Sequence, residues 1–531
     1  MGKRTLGAEL AHSLKIRGVE TIFGIPGVHN VELYRGIEDA GIRHILARHE
    51  QGAGFMADGY ARATGKPGVA FVISGPGLTN IMTPMGQAYS DSVPVLVVSS
   101  CLDETAAHKG QLHQMRDQEG AAATVCDWSL TAQDSDSAYH LVDRAFTEFY
   151  SQRQRPKHIQ VPIKALGAAA IPAPEPETLP DSPPYLRPVA HQRDIERIAN
   201  ALLQAERPLI IFGGGAVCYH HAARKVAKLA GAAVFTTYAG RGIVDPEYSL
   251  NCGAYLARPE SAQLIASADL VLAVGTTLAE VDLWRRDLGH TCTFIRVDLD
   301  ASVMAHPRAD IRVVSDAGAV LDGVARLLPA NKQTGWNAGQ IENTCSQWHA
   351  QTDAERPGIA PLCEAMQAAL PDDTMYFSDM TQFAYVAKEV CPMNRPGHWH
   401  HPFGFGTLGY ALPAAIGGKV SRLSQPTVSI AGDYGFQYTM QELGVAAELN
   451  LTLPIILWDN GKLKEIEDSM IASQIAPNAV VAQNPDFRLL AAAYGVAYEA
   501  PTSITAFQDA LRASLKADGP TIIHITAATN A

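Results

Sequence analysis

The stretch 428-VSIAGDYGFQYTMQELGVAAELNLTLPIILWDN-460 decides how this chain folds. An apolar run ends on a glycine-flanked aspartate, a segment of helical length follows, and a second apolar run ends on an asparagine. Two runs apolar on both faces and joined by a helix read as parallel strands of a βαβ unit, because helices cover both sides of such a sheet. Parallel strands open onto one carboxyl edge, where the ligands of α/β sheets sit. Asp433 and Asn460 are therefore expected to converge despite their separation in sequence. One carboxylate and one amide oxygen, completed by a backbone carbonyl and phosphate oxygens, form a donor set that Mg²⁺ takes. The N-terminus of a helix after Gly435 would add N–H groups that favour phosphate. Either residue alone would be an ordinary turn aspartate or strand-end asparagine; the pair carries the reading.

Further runs of the same kind, among them 69-VAFVIS, 94-PVLVVSS, 158-HIQVPI, 208-PLIIFGGG, 270-LVLAVG, 294-FIRVDLD and 521-TIIHIT, extend the pattern over the whole chain. At about 150 residues per domain, 531 residues suggest about three domains. The proline-dense, acidic stretch 171-IPAPEPETLPDSPPYLRP cannot be helix or inner strand. The polar segment near 331-NKQTGWNAGQ is a weaker boundary. The expected organisation is an α/β chain of three doubly wound parallel-sheet domains at 1–170, 190–330 and 355–531, with linkers at 171–189 and 331–354. No short-period repeat is visible.

Composition excludes several classes. A net charge of −12, from 42 basic and 54 acidic residues, disfavours a nucleic-acid surface, which needs a positive field. No run of about 20 apolar residues is present to span a bilayer. The opening MGKRTLGAELAHSL carries Glu9 and His12 where a secretion signal would be apolar. The eight cysteines show no paired spacing, which suits a reduced, cytoplasmic chain without a zinc site. In 208-PLIIFGGGAVC, Cys218 stands where a dinucleotide fingerprint needs its third glycine.

Three segments together resemble the thiamine-diphosphate enzymes of the acetolactate synthase, benzoylformate decarboxylase and pyruvate decarboxylase superfamily. They are GDYG with the later Asn460, the stretch 23-FGIPGVHNVELYRGI with 48-RHEQGAGFMADGYARATGKPGVAFVISGPGLTN, and 404-GFGTLGYALPAAIGG. The resemblance covers essentially the whole chain, and it implies a pyrimidine-binding first domain, a central domain and a diphosphate-binding last domain. It implies thiamine diphosphate and Mg²⁺ as cofactors, with FAD, which the central domain holds in acetolactate synthases, less favoured than an empty scaffold. Glu50 falls on the catalytic glutamate that hydrogen-bonds the aminopyrimidine. Such a carboxyl must sit in a dry pocket to have a useful pKa. Leu408 matches the residue that wedges under the bent cofactor, and Gly406 a glycine whose carbonyl receives its amino group. Pro26, Gly432, Tyr434, Gly435 and Leu463 fall at further cofactor contacts, and Asp433, Asn460 and the Lys462 carbonyl at the metal ligands.

Two departures stand out. Tyr434 occupies a place the family gives to Gly, Ala or Ser, so its side chain must turn away from the diphosphate. Asp459 precedes Asn460 where the family has Asn-Asn. For the 2-oxo acid, candidates are His29, Val28, His113, Gln114, and His400 or His401. His113 and Gln114, in 110-GQLHQMRDQ-118, lie where acetolactate synthases carry a functional Gln and pyruvate decarboxylases a His pair. Val28 stands where benzoylformate decarboxylases have Ser, which disfavours that type. After the metal loop, 461-GKLKEIEDSM offers Glu465 as a clamp for a cationic substrate, since a carboxylate holds a guanidinium in bidentate fashion. These features resemble bacterial 5-guanidino-2-oxopentanoate decarboxylases.

The resemblance thus implies a cytoplasmic lyase that decarboxylates a 2-oxo acid to an aldehyde and CO₂. The alternatives are an acetolactate-synthase-like carboligase and a non-catalytic family member. It also places Glu50 and Asp433 on different subunits at one site, so that a homodimer is the minimum active unit, within a tetramer. Nucleic acid and membrane are not expected partners.

Overall fold

The structure is a computed structural model that describes residues 4–103, 110–174, 187–330, 332–481 and 483–530. Three parallel sheets follow one another along the chain. The first contains β1 (Thr21–Gly24), β2 (Arg43–Leu46), β3 (Gly68–Val72), β4 (Val95–Cys101), β5 (Trp128–Thr131) and β6 (Lys157–Pro162), in the order β2-β1-β3-β4-β6-β5. The second contains β7 (Pro208–Phe212), β8 (Ala233–Thr236), β9 (Leu270–Val274), β10 (Thr293–Asp298) and β11 (Ile311–Val314), in the order β11-β10-β9-β7-β8. The third contains β12 (Met375–Ser378), β13 (Trp399–His400), β14 (Thr427–Gly432), β15 (Leu453–Trp458), β16 (Ala497–Glu499) and β17 (Pro520–Ile525), in the order β13-β12-β14-β15-β17-β16. Counted from their own first strands, the first and third sheets share one strand order, a duplication of fold that no sequence repeat announces.

The strands legible in sequence are the central ones. β4, β7, β9, β14 and β15 are buried at every position, as parallel strands covered on both faces must be. The less legible β2, β11 and β16 are edge strands with exposed positions, so they carry no continuous apolar run. The register pairs Ile430 with Ile456 and Gly432 with Trp458, so β14 and β15 end level and release Asp433 and Asn460 at the same edge.

Two boundaries differ in kind. Residues 175–186, most of the proline-dense linker 171–189, lie outside the described residues. The second linker, 331–354, is largely the helix Ala338–Glu355. Its polarity misled because only Ile341, Trp348 and Thr352 are buried, while Asn337 caps its start through the Gln340 N–H.

The first and third sheets are joined by one helix crossing. The helix Glu50–Thr64 follows β2, and the helix Ala411–Ser421 occupies the equivalent place after β13. A Cβ on Gly59 would overlap the Ala414 carbonyl, and one on Gly417 would overlap that of Met56, so the backbones touch at reciprocal glycines. Buried polar groups lock the crossing. The Tyr410 hydroxyl donates to Asp58 at 2.8 Å, and Arg62 pairs with Asp58 at 2.6 Å and Asp91 at 2.8 Å. Asp91 in turn accepts the N–H groups of Phe403 and Gly404 at 3.1 and 2.8 Å. Because the neighbour at each glycine is backbone, no rotamer change relieves a clash. Gly417→Ala is expected to cost about 1–3 kcal/mol or more, read as a lowered Tm. A change under about 0.5 kcal/mol, the scale of ordinary surface substitutions, would mean that the helices part freely.

Candidate active site

At the carboxyl edge of the third sheet, the chain leaves β14 through Gly432 and enters the helix Asp433–Thr439 at once, three residues earlier than a start after Gly435. Asp433 is 3% exposed. The loop leaving β15 folds back onto it, and the Gly461 N–H donates to Asp433 Oδ2 at 3.1 Å and to Asp459 Oδ1 at 3.0 Å. Asn484 Nδ2 bridges the same two carboxylates at 2.7 and 3.0 Å. His524 Nε2 lies 2.9 Å from Asp459 Oδ2 and receives support from Tyr498 at 2.7 Å. Burial pushes the Asp433 carboxyl up, against the Asn484 hydrogen bond, and the charge of Asp459 adds to the rise. The His524 hydrogen bond holds Asp459 down. Asn460 donates Nδ2 to Gln382 Oε1 at 3.1 Å and accepts the Lys462 N–H at 3.2 Å. Oxygen donors and negative charge thus converge at one buried edge, a set that suits a hard divalent cation. The Lys462 side chain turns away to Glu467, at 3.0 Å.

The surrounding residues are held as firmly. Asp379, buried at the end of β12, accepts the Gly409 N–H at 2.8 Å. Burial raises its carboxyl to about 6. A Cβ on Gly435 would lie 2.8 Å from that carboxylate and 3.5 Å from Leu408, so the Leu408 loop leans against the start of the Asp433 helix. The loop bends through Gly406 and Gly409, at φ +66° and +85°, which favours glycine at both. Tyr434 turns along its helix beside Tyr438, with ring centroids 6.0 Å apart. The Leu463 N–H donates to the Val480 carbonyl at 2.8 Å.

The other cluster lies at the carboxyl edge of the first sheet. Glu50 is the first residue of its helix, 9% exposed, and accepts from Asn80 Nδ2 at 2.9 Å. A carboxylate from the third domain braces that turn. Glu442 accepts the N–H groups of Arg48 (3.1 and 3.2 Å) and His49 (2.9 Å), in space left free by Gly52. Burial raises Glu442 to about 7. Near Glu50's domain edge, His29 Nδ1 lies 2.7 Å from Ser74 Oγ, and its ring meets that of His113 edge-on at 4.8 Å. Burial lowers the His29 pKa, and His113 lowers it further. His113 takes φ +61°, and its buried Nδ1 has no hydrogen-bond partner among the described residues. Gln114 accepts the Gln111 N–H at 3.2 Å. Pro26 and Val28 are exposed on the same edge. His400 and His401 are instead fully buried around β13, the first against Phe377 and the second 3.0 Å from Ser378 Oγ.

Three family models match the chain in turn, one within each of the three domains. Residues 4–121 match the N-terminal TPP binding domain of the thiamine pyrophosphate enzymes, residues 195–324 their central domain, and residues 379–525 their C-terminal TPP binding domain. The chain belongs to the thiamine pyrophosphate enzyme family. It is 40% identical to a probable 2-ketoarginine decarboxylase, AruI, of Pseudomonas aeruginosa, over 98% of this chain and 94% of the relative. It is 28% identical to the acetolactate synthase isozyme 2 large subunit of Escherichia coli (97% and 94% covered). It is 30% identical to an acetolactate synthase of Arthrospira platensis (98% and 94% covered).

In this thiamine pyrophosphate enzyme one sequence expectation meets an obstacle. The Glu465 carboxylate is already held in a fork by Arg356, Nε to Oε1 at 3.0 Å and Nη2 to Oε2 at 2.9 Å, and accepts Gln382 Nε2 at 3.0 Å. A guanidinium does occupy it, but one from this chain, brought from the end of the helix Ala338–Glu355, whose polar sequence resembles a linker. Asn80, Gln382, Glu442 and Asn484 also escaped sequence reading, since a lone amide or carboxylate in a helix or loop carries no pattern. A cavity of about 390 Å³ opens at the carboxyl edge of the second sheet, lined by Gly214, Gly275, Thr276, Asp298 and Asp316. Among the described residues no helix is long and apolar enough to cross a membrane.

Glu442 has a testable signature in the cofactor-free protein. The folded carboxyl keeps its proton up to about 7, whereas the unfolded one releases it near the ordinary 4.5, so the folded state loses stability as pH rises between those values. Glu442→Gln, which cannot ionise, should match wild-type Tm below this window and exceed it above. A Tm difference that stays flat with pH would show that Glu442 ionises in the folded protein as it does in the unfolded one.

Proposed function

We propose that this chain is a thiamine-diphosphate- and Mg²⁺-dependent decarboxylase that converts a 2-oxo acid to an aldehyde and CO₂, with 5-guanidino-2-oxopentanoate as its substrate. The observation that carries the reading is the 40% identity, along 98% of the chain, to a protein named as a probable 2-ketoarginine decarboxylase. In this reading Asp433, Asn460 and the Lys462 carbonyl hold Mg²⁺, while Gly432, Tyr434, Gly435 and Leu463 border the diphosphate. Glu50 takes the aminopyrimidine, with Pro26, Gly406 and Leu408 as its walls. When bound, thiamine diphosphate supplies the electron sink that lets the bond to the carboxylate break.

The protein's own part is to bind, orient and move protons. Glu50, buried and steadied by Asn80, presents its carboxyl in the dry surroundings that a proton-relaying group needs. His29, His113 and Gln114 are assigned to the substrate carboxylate and to the proton that replaces CO₂, with Val28 at the pocket mouth. The lowered His29 pKa leaves its imidazole neutral at neutral pH, able to give or take a proton beside Ser74. A second reading, carboligation of two 2-oxo acids, is favoured by the acetolactate synthase relatives, and a flavin in the central cavity would strengthen it.

We assign self-association to the two ligand edges. Val28, Val31 and Leu112 are exposed in the first domain, and Phe405, Tyr438, Ile466 and Ile471 in the third. Joining the first edge of one copy to the third edge of another would cover both sets and bring Glu50 to Asp433 across a homodimer, within a tetramer. All eight cysteines are free, which supports a cytoplasmic setting.

Release of CO₂ from 5-guanidino-2-oxopentanoate should exceed release from pyruvate and benzoylformate at equal concentration. Equal or faster turnover of pyruvate would sink the cationic assignment, and acetolactate as the main product from pyruvate would favour carboligation. Glu50→Gln should lower kcat by a factor on the order of 10² or more, while calorimetry still shows cofactor binding; retained turnover would remove Glu50 from its role.

A further inference from the structure

The Arg356–Glu465 fork ends on a metal-site residue through a single amide. Arg356, stacked near the Tyr385 ring, holds both oxygens of Glu465. Glu465 Oε1 also accepts Gln382 Nε2 at 3.0 Å, and Gln382 Oε1 accepts Asn460 Nδ2 at 3.1 Å. The polarity of this chain is forced from one end. A carboxylate bound to a guanidinium can only accept, so the Gln382 NH₂ must face it. Gln382 then has only its oxygen to offer Asn460, and Asn460 must turn its NH₂ towards Gln382. Its own oxygen, Oδ1, is left on the side of the Lys462 N–H, which donates to it in the same sense.

We propose that Glu465 is a positioning residue for the cation site: clamped by Arg356 and acting through Gln382, it fixes the Asn460 side-chain amide with its oxygen presented to Mg²⁺. The inference rests on the Mg²⁺ and thiamine diphosphate reading above, and it replaces the role of Glu465 as a substrate clamp. The physical reason for such a relay is that an asparagine amide is nearly symmetric in shape. Packing alone does not distinguish its oxygen from its nitrogen, and only the hydrogen-bond polarity of its neighbours does. A flipped amide would aim NH₂ at a cation. Outer residues that orient metal ligands typically change affinity 10- to 100-fold when removed.

The test is a double-mutant cycle read by calorimetric titration of Mg²⁺ into the full-length protein with saturating thiamine diphosphate. Glu465→Gln keeps the shape but no longer dictates polarity, and should weaken Mg²⁺ binding about tenfold or more. In an Asn460→Asp background either orientation presents oxygen, so the same Glu465→Gln change should cost nothing or improve binding. A general structural defect would weaken binding equally in both backgrounds, and that result would overturn the proposal. So would unchanged Mg²⁺ affinity in Glu465→Gln with a raised KM for 5-guanidino-2-oxopentanoate, which would return Glu465 to the substrate. If Glu465→Gln fails to fold, Gln382→Leu interrupts the same relay and must show the same loss, rescued in the Asn460→Asp background. Absence of Mg²⁺ binding by the wild type would instead overturn the cofactor reading itself.

Discussion

Backbone contact between the helices Glu50–Thr64 and Ala411–Ser421 is the constraint on which both ligand edges depend. Gly59 and Gly417 allow it, and side chains then enforce it: Asp58, Arg62 and Asp91 are buried charges that remain satisfied only while Tyr410, Phe403 and Gly404 stay in place. Breaking one member would strand a buried charge, which costs far more than the pair contributes. One helix begins at Glu50, and the other follows the loop of Gly406 and Leu408. Glu442 extends the same logic by bracing the turn before Glu50 from the opposite domain. The residues assigned to cofactor chemistry thus stand on a rigid junction, while the residues that meet it sit on short loops.

The shared strand order of the first and third sheets gives this junction a near-symmetric form. Equivalent helices, each following the second strand of its own sheet, meet each other. Their loops have diverged in chemistry. One edge carries a carboxyl, an asparagine and a histidine pair; the other gathers two carboxylates and the amides of Asn460, Asn484 and Gln382. The apolar residues left exposed at both edges are what a second copy would cover.

Much of this was legible from residue order. The central strands announced themselves because burial on both faces demands a continuous apolar run, and the level ends of β14 and β15 brought Asp433 and the Asn460 loop together as the βαβ pattern required. Edge strands such as β2 and β16 were not legible, since half-exposed segments carry no such run. The helix Ala338–Glu355 was hidden for a related reason: one narrow buried stripe on an otherwise polar helix reads as linker. His400 and His401 illustrate the limit for single residues, because a histidine at a strand end looks the same in sequence whether it faces a ligand or the core.

Glu465 marks the boundary between the two kinds of information. An acidic residue after the Asn460 loop can be read from the chain, and so can its affinity for a guanidinium. Which guanidinium it meets depends on where Arg356, more than a hundred residues away, is carried by its helix. Residue order alone specifies the three parallel sheets, the convergence of Asp433 and Asn460, and Glu50 at the head of its helix, because these follow from local periodicity and the parallel edge. The helix crossing, the bracing by Glu442 and the hydrogen-bond chain to Asn460 emerge only in the folded chain. Those depend on groups distant in sequence meeting in low dielectric, where an unpaired donor or charge is costly and each partner dictates the orientation of the next.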